Sequence, residues 1–378
     1  MYSFKILKDA ENIPNAWDDI NHNVFLSKRY LTALHHSLPN NMLLFYVSFF
    51  ENDVFIGKAL FQCISIYKTQ TLGNKEHCVK RKLKNIALKK LCGNVLFLGN
   101  NMLTGQNAFV FDAQVSKEKQ LDCLSKAQNQ IKNELEQKGM TMHLHSFKDF
   151  DYNNVMLLKS AFEDYYVFNT QPNMVFTVRD NWHTFDDYIK DLSKKYRLQF
   201  NRTRNKMHDV TKKKLSLEDI KNNEAKINEL YLQVVENASF NTFILPKNHF
   251  HQMKKYLGEE LFVYGYFHHG QMVGFSTLIK NGQTMDTYFL GYDAPFQKTH
   301  LLYLNMLYDM VAFSINQKIE KVVFGRTAME IKSSIGAIPQ ETYGLVKHKT
   351  ALLQNKMDKL FKYFDPKVSW IERHPFKD

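Results

Sequence analysis

The sequence has no uncharged apolar run of about 18 residues or more, the least a bilayer-spanning helix needs. Its amino-terminal MYSFKILKDAE carries acidic residues where a secretory signal needs an apolar core. Membrane insertion and export are therefore not expected, and a cytoplasmic protein is. Cysteine is sparse: Cys63, Cys78, Cys92 and Cys123 lie in the first third without a CxxC pair, which excludes a disulfide framework and a cysteine zinc knuckle. They read as reduced thiols. With 15 Gly and 8 Pro in 378 residues, collagen-like and linker-like compositions are out. A Gly-x-Ser-x-Gly elbow is also missing, and so is its form of serine nucleophile.

What is present is a basic, aromatic-rich chain: 50 Lys+Arg against 38 Asp+Glu, a formal excess of +12, and 30 Phe spread along the whole length. Two cores can be filled, and no segment has the composition of a disordered tail. Periodicity predicts mixed α/β structure throughout. In the first half a strand at Phe4 to Leu7 precedes a helix at Ser27 to Leu38 and a hairpin from Leu43 to Tyr67 turning at Glu51-Asn52-Asp53. Strands then follow at Asn94 to Leu98 and Ala108 to Phe111, with a long helix from Lys117 to Lys138. A strand at Met140 to Phe147, a helix at Asn153 to Phe162 and a strand from Tyr165 end that half.

The second half repeats the order. VSFFENDVFIGKALFQ at Val47 to Gln62 aligns with YGYFHHGQMVGFSTLI at Tyr264 to Ile279, setting Phe50 beside Phe267 and Gly57 beside Gly274. FLG recurs at Phe97 and Phe289, each before a long helix and a further strand. A repeat whose period is a whole domain reads as a tandem duplication. The expected boundaries are 1–180, a basic connecting helical segment 181–218, and 219–378. In the connector, Arg197, Arg202, Arg204, Lys206 and Lys212 to Lys214 are read as the positive surface of one helix, facing something anionic; a solvated helix face is the plain alternative.

Five segments in fixed order carry a resemblance: SKKYRLQFNRTRNK, LFVYGYFHHGQMVGFSTLI, TMDTYFLGYD, HLLYLNMLYDMVAFSINQK and VVFGRTAMEIKSSIGAIPQETYGL, spanning Ser193 to Leu345. Together they resemble the tandem-domain Fem-like and CelD-like branch of the GNAT acyltransferases, related to peptidoglycan aminoacyltransferases. The resemblance implies an α+β fold of two GNAT-like units, each a mostly antiparallel sheet flanked by helices, with the second unit as the catalytic one. It implies an N-acyltransferase taking an acyl group from a thioester, acyl-CoA or an acyl-carrier protein, to a small-molecule or lipid-precursor amine. The alternatives are a Fem-like aminoacyltransferase using aminoacyl-tRNA, and a non-catalytic binder of nucleic acid or lipid headgroups with at most peripheral membrane contact. No tightly bound cofactor is expected. The chain departs from acetyl-CoA enzymes in having Asp293-Ala294-Pro295-Phe296-Gln297-Lys298-Thr299-His300 where they carry a glycine-rich pyrophosphate loop.

Acyl transfer to an amine needs a proton acceptor, a positioned carbonyl and oxyanion donors. On the strand Thr284 to Gly291, strict alternation puts Asp286, Tyr288 and Leu290 on one face; Asp286 is the expected base and Tyr288 the expected donor. The alternative makes them a solvated carboxylate and a half-buried aromatic. Gln297, Lys298, Thr299 and His300, at a helix start, are expected to hold the donor's phosphate or carboxylate. The resemblance places Arg326, Glu330 and Lys332, where a strand gives way to a helix, along the acceptor pocket, implying that Arg326 and Lys332, with Arg197 and Arg204, grip an anionic substrate while Glu330 orients them or binds the amine; a structural Glu330 salt bridge is the alternative. The 15 histidines, including His268-His269, His249 with His251, His35-His36 and His143 with His145, lack the helical spacing and supporting carboxylates of a zinc site. No metal is expected.

Overall fold

The computed structural model describes residues 2–68, 86–87, 89–237, 241–364 and 369–377. Cys78 lies outside them; Cys63, Cys92 and Cys123 are free thiols. Burial pushes Cys63 up to about 12 and Cys92 up to about 11, so neither is a thiolate at neutral pH. No helix among the described residues is long and apolar enough to cross a membrane.

The strands are β1 (Tyr2–Leu7), β2 (Met42–Glu51), β3 (Val54–Ser65), β4 (Asn94–Leu98), β5 (Phe109–Phe111), β6 (Leu144–Phe150), β7 (Tyr166–Asn169) and β8 (Asn173–Thr177). The rest are β9 (Val210–Lys214), β10 (Leu261–His268), β11 (Gln271–Asn281), β12 (Thr284–Tyr292), β13 (Lys321–Gly325), β14 (Ile338–Gln340) and β15 (Tyr343–His348). They form two sheets, β1-β2-β3-β4-β6-β15-β7, with β5 also on β3, and β9-β10-β11-β12-β13-β8-β14. The orders match position by position, and in each sheet the one parallel pair, β4 with β6 or β12 with β13, brackets a long helix, Lys117–Gln137 or Leu302–Asn316. Even the irregularities correspond. The register shifts between Phe49 and Phe50 in β2 and between Tyr266 and Phe267 in β10, with Phe49 opposite Gly57 and Tyr266 opposite Gly274. These are the positions that the sequence alignment equates, so the fold is the expected duplicated α+β architecture.

The domain boundaries differ from the contiguous ones. The compact units are Met1–Gln171 with Ser239–His249 and Glu341–Lys367, and Pro172–Ala238 with Phe250–Gln340 and Val368–Asp378. The reason is a reciprocal exchange of one strand: β8 enters the second sheet beside β13, and β15 enters the first beside β6. Each carries its own core residues, Met174 and Phe176 in the second core and Leu345 in the first, all fully buried. The segment 181–218 is likewise no connector but part of the second unit. Helix Lys194–Asn205 buries Tyr196 and sets Phe200 edge-on to Tyr308, at 5.1 Å. Lys212, Lys213 and Lys214 do not extend that helix. They form β9, the edge of the second sheet, where lysines discourage pairing with another chain.

In the second unit β12 is covered closely. A Cβ on Gly291 would meet the backbone of Leu230 and Tyr231 at 2.5 Å, so glycine lets helix Glu224–Asn237 lie directly on the strand. Helix Leu302–Asn316 is apolar nearly all round and buries Asn305 and Ser314 as well, as expected of a helix inside a core.

Candidate active site

The second sheet opens along β12. Only Thr284, Met285 and Asp286 pair with β13, opposite Lys321, Val322 and Val323; beyond Asp286, β12 continues to Tyr292 paired with β11 alone. In that free stretch the ladder to β11 slips, Ser276 facing Leu290 and Leu278 facing Thr287, so that Thr277 stands against both Tyr288 and Phe289. The Thr277 hydroxyl donates to the Phe289 carbonyl. Such a bulge takes one residue out of the ladder and re-aims its backbone. It also breaks the strict alternation that would group Asp286, Tyr288 and Leu290.

Across the opening, β13 ends in a strained turn. Gly325, Thr327 and Ala328 all have left-handed backbone, φ +70°, +67° and +47°. For a β-branched threonine that conformation is uncommon and costs about 1–3 kcal/mol, which the surroundings must offset. Lys332, 3% exposed, supplies the brace: its Nζ donates to the carbonyls of Gly325 at 3.2 Å and Arg326 at 2.7 Å. Lys332 is thus turned inward to the backbone, 3% exposed, with two of its three donors on the carbonyls of the turn instead of on a solvent-facing anion.

Two titratable groups therefore flank the end of β13. Asp286 is 6% exposed, and burial raises its carboxyl to about 7; it is no solvated strand-start residue. Burial also brings the Lys332 ammonium down to about 7. Groups shifted this far by desolvation in a structural opening are candidates for proton transfer. Tyr288 is half-buried on the bulge, its ring edge-on to Phe289 at 4.6 Å.

Other expected site residues are engaged elsewhere. Arg204 pairs with Asp309 at 2.7 Å and donates to Asn305 at 3.2 Å, while Asp309 also accepts from the Tyr266 hydroxyl at 2.9 Å. That network ties helix Lys194–Asn205 to the core helix and leaves Arg204 no free fork for substrate. Arg197 is half-buried and, among the described residues, has no carboxylate partner. Glu330 accepts from Arg373 Nε at 3.1 Å and from a second guanidinium nitrogen, so it is the structural salt bridge. With both partners substantially exposed, the pair is screened by solvent and contributes little to stability. Glu330→Gln is expected to leave turnover within about twofold of wild type, in contrast to the sequence-based role; a steady-state assay checks this.

The expected phosphate cradle is occupied by the protein itself. In helix Ala294–His300 the Asp293 carboxylate accepts from Phe296 N at 2.8 Å, and Gln233 Oε1 accepts from Ala294 N at 2.9 Å. Gln297 turns its Oε1 to Tyr303 N, 2.6 Å away, capping the next helix. Thr299 bonds the Phe296 carbonyl, Lys298 is exposed, and His300 faces Asp209. These four residues do not converge on one anion. Sequence reasoning also missed Asp309, Thr277, Arg373 and Asp209. Their significance lies in partners distant along the chain, a signal that no local pattern carries. Of the other histidines, His249 is buried against Ser37, His143 meets Tyr67 and His145 meets Gln128.

With this geometry in view, residues 104–370 match the FemAB-like family model, described as peptidoglycan biosynthesis/recognition. The chain belongs to the FemAB-like family. Among solved structures, this FemAB-like protein is similar to a tandem GNAT protein from the clavulanic acid biosynthesis pathway, solved without acetyl-CoA. That match has 8% identity and a TM-score of 0.51, covering 92% of this chain and 98% of the other. It is similar as well to FemX, with 10% identity and a TM-score of 0.51 over 89% of this chain and 93% of that one. At such identities the likeness establishes the fold. No curated protein matches the FemAB-like chain.

Proposed function

We propose that the chain transfers an acyl group to an amine in the opening between β12 and β13, and that its donor is an aminoacyl ester of tRNA in preference to acyl-CoA. The observation that carries the reaction is the buried Asp286 carboxyl, held near 7 where the two strands part. Asp286 accepts, directly or through one water, the proton that a neutral amine sheds as it attacks. The amine attacks the donor carbonyl, and the tetrahedral oxyanion meets the re-aimed backbone of the Tyr288–Phe289 bulge and the Tyr288 hydroxyl. As the carbon–oxygen bond to the carrier breaks, Asp286 returns the proton to the leaving oxygen. The proton count closes, and neither metal nor tightly bound cofactor is needed for it.

The donor preference rests on the helix starts after β12. Their N–H groups already bind Asp293, Gln233 and Gln297, and a carboxylate stands where a pyrophosphate would have to sit. Repulsion there disfavours CoA. Lys194, Lys195 and Arg202 are exposed on the basic helix and suit a long phosphate backbone. The family's description favours an acceptor amine on a peptidoglycan or lipid-linked precursor, and such a donor places the reaction in the cytoplasm.

The test offers the purified protein charged tRNA in one arm and acetyl- or long-chain acyl-CoA in the other, with an amine acceptor. Acceptor-dependent loss of the aminoacyl ester without thiol release from CoA supports the reading. Thiol release reinstates the thioester donor. Salt-dependent tRNA binding with no turnover in either arm makes the chain a binding protein and overturns the proposal.

A further inference from the structure

A second chemical constellation stands apart from the Asp286 opening. β9 pairs antiparallel with β10, Val210 opposite His268, and this register brings Asp209, the residue before Val210, to the side chain of His268. The His268 Nε2 lies 3.0 Å from Asp209 Oδ2. From the end of helix Ala294–His300 a third residue arrives, His300, whose Nε2 lies 3.7 Å from Asp209 Oδ1. One ligand-type atom from each residue falls within 4.8 Å of the other two. Around a metal at about 2.0–2.2 Å, ligand atoms stand about 3.4 Å apart, so the three need only small side-chain movements to close on an ion.

Three details indicate what is missing. Asp209 Oδ1 is buried and has no hydrogen-bond partner, a costly state for a carboxylate oxygen. His300 is fixed: its ring lies flat on Phe296, centroids 3.7 Å apart, and its Nδ1 is 2.7 Å from the Thr299 hydroxyl. The Thr299 hydroxyl also reaches the Phe296 carbonyl, 3.0 Å away; with its proton there, the Thr299 oxygen accepts from His300 Nδ1. In that tautomer the lone pair of His300 Nε2 faces the orphaned Asp209 oxygen. Two electron pairs face each other, and a cation belongs between them. A histidine whose far nitrogen is held by a hydroxyl is also in the state in which imidazole binds metals.

We infer that Asp209, His268 and His300 form a binding site for one divalent transition-metal ion of the zinc type, with water completing the coordination. Two imidazoles and one carboxylate suit Zn²⁺ or Co²⁺ and disfavour Mg²⁺ and Ca²⁺, which need oxygen ligands. The ion would pin helix Ala294–His300 to the β9–β10 edge of the second sheet, a structural role independent of the proposed transfer reaction.

The test is calorimetric titration of the chelator-treated full chain with Zn²⁺ and, separately, Co²⁺, followed by visible absorbance of the Co²⁺ form. One equivalent is expected to bind, with an absorbance of low-coordinate Co²⁺. Affinity should fall at least roughly tenfold in both Asp209→Asn and His300→Gln and stay unchanged in His269→Ala, whose ring is adjacent but outside the triad. Circular dichroism of the metal-free variants separates loss of ligand from loss of fold. No saturable binding, or equal affinity in Asp209→Asn and wild type, overturns the site and leaves a proton as the bridging cation; loss of affinity in His269→Ala alone moves the metal elsewhere and overturns it equally.

Discussion

Asp286→Asn is expected to lower kcat roughly 10²- to 10⁴-fold, the range for a positioned acid–base group, while making the protein more stable above pH 7. The two effects share one cause. The folded carboxyl sits at about 7, against about 3.9 in an unfolded chain. Between those values the folded state holds a proton that the unfolded state has released. The contribution of Asp286 to stability is therefore full below about pH 4, declines as pH rises, and has been lost once pH passes about 7. At pH 8 wild type carries a buried ionised carboxylate and the asparagine variant does not, a difference on the order of a few kcal/mol. Guanidinium melts at pH 4 and 8 should show the variant's advantage emerging only at the higher pH. The rate should behave oppositely: as general base, Asp286 makes kcat/KM rise through about pH 7, and the variant should lose that limb. A variant of wild-type rate, or a retained limb, removes Asp286 from the chemistry.

Lys332→Met is the second large effect, and stability leads it. The substitution strips the donor from two carbonyls in a turn with three left-handed positions, Gly325, Thr327 and Ala328, on either side of Arg326. Each acceptor left buried and unpaired costs about 1–3 kcal/mol, so denaturant melts should shift by several kcal/mol. The pH dependence runs opposite to that of Asp286. Burial lowers the folded ammonium to about 7 from an unfolded value near 10.4, so between these the unfolded chain holds the extra proton and stability rises with pH. Below pH 7 the ammonium is buried at full cost, eased by its two carbonyl acceptors. Together the two residues give a stability contribution lowest near neutrality. Because Lys332 acts on the turn, kcat should fall with little change in KM; a rise in KM alone would mean that it binds substrate instead.

Much of this architecture was legible because it is local. The hairpins at Val47 to Gln62 and Tyr264 to Ile279 announce themselves by alternation and by turn residues, and the register irregularities at Phe50 and Phe267 confirm the alignment. What stayed hidden depends on pairing across the chain. Nothing in TYGLVKH tells that β15 joins the first sheet, since its apolar pattern suits either one. Lysines at 212–214 read equally as a basic helix or as a charged edge strand, and only pairing with β10 decides. At the site, Asp286 could be placed on its strand, but its burial depends on the layers around it. For Glu330 and Arg204 the sequence shows the charge but not the partner, because Arg373 and Asp309 approach them from distant segments.

The exchanged strands bear on how the chain is made. During synthesis the first sheet has β6 and β7 early but waits for β15, the last of the described strands to leave the ribosome, whereas β8 emerges before any of the strands it will join. Pairings of such sequence separation form slowly and leave strand edges open meanwhile. Neither half expressed alone as a contiguous piece contains a whole sheet. The two copies of the duplicated unit are thereby bound to one another in inheritance as well as in folding: a gene split at the midpoint would yield two fragments, each lacking a strand and carrying one that it cannot use.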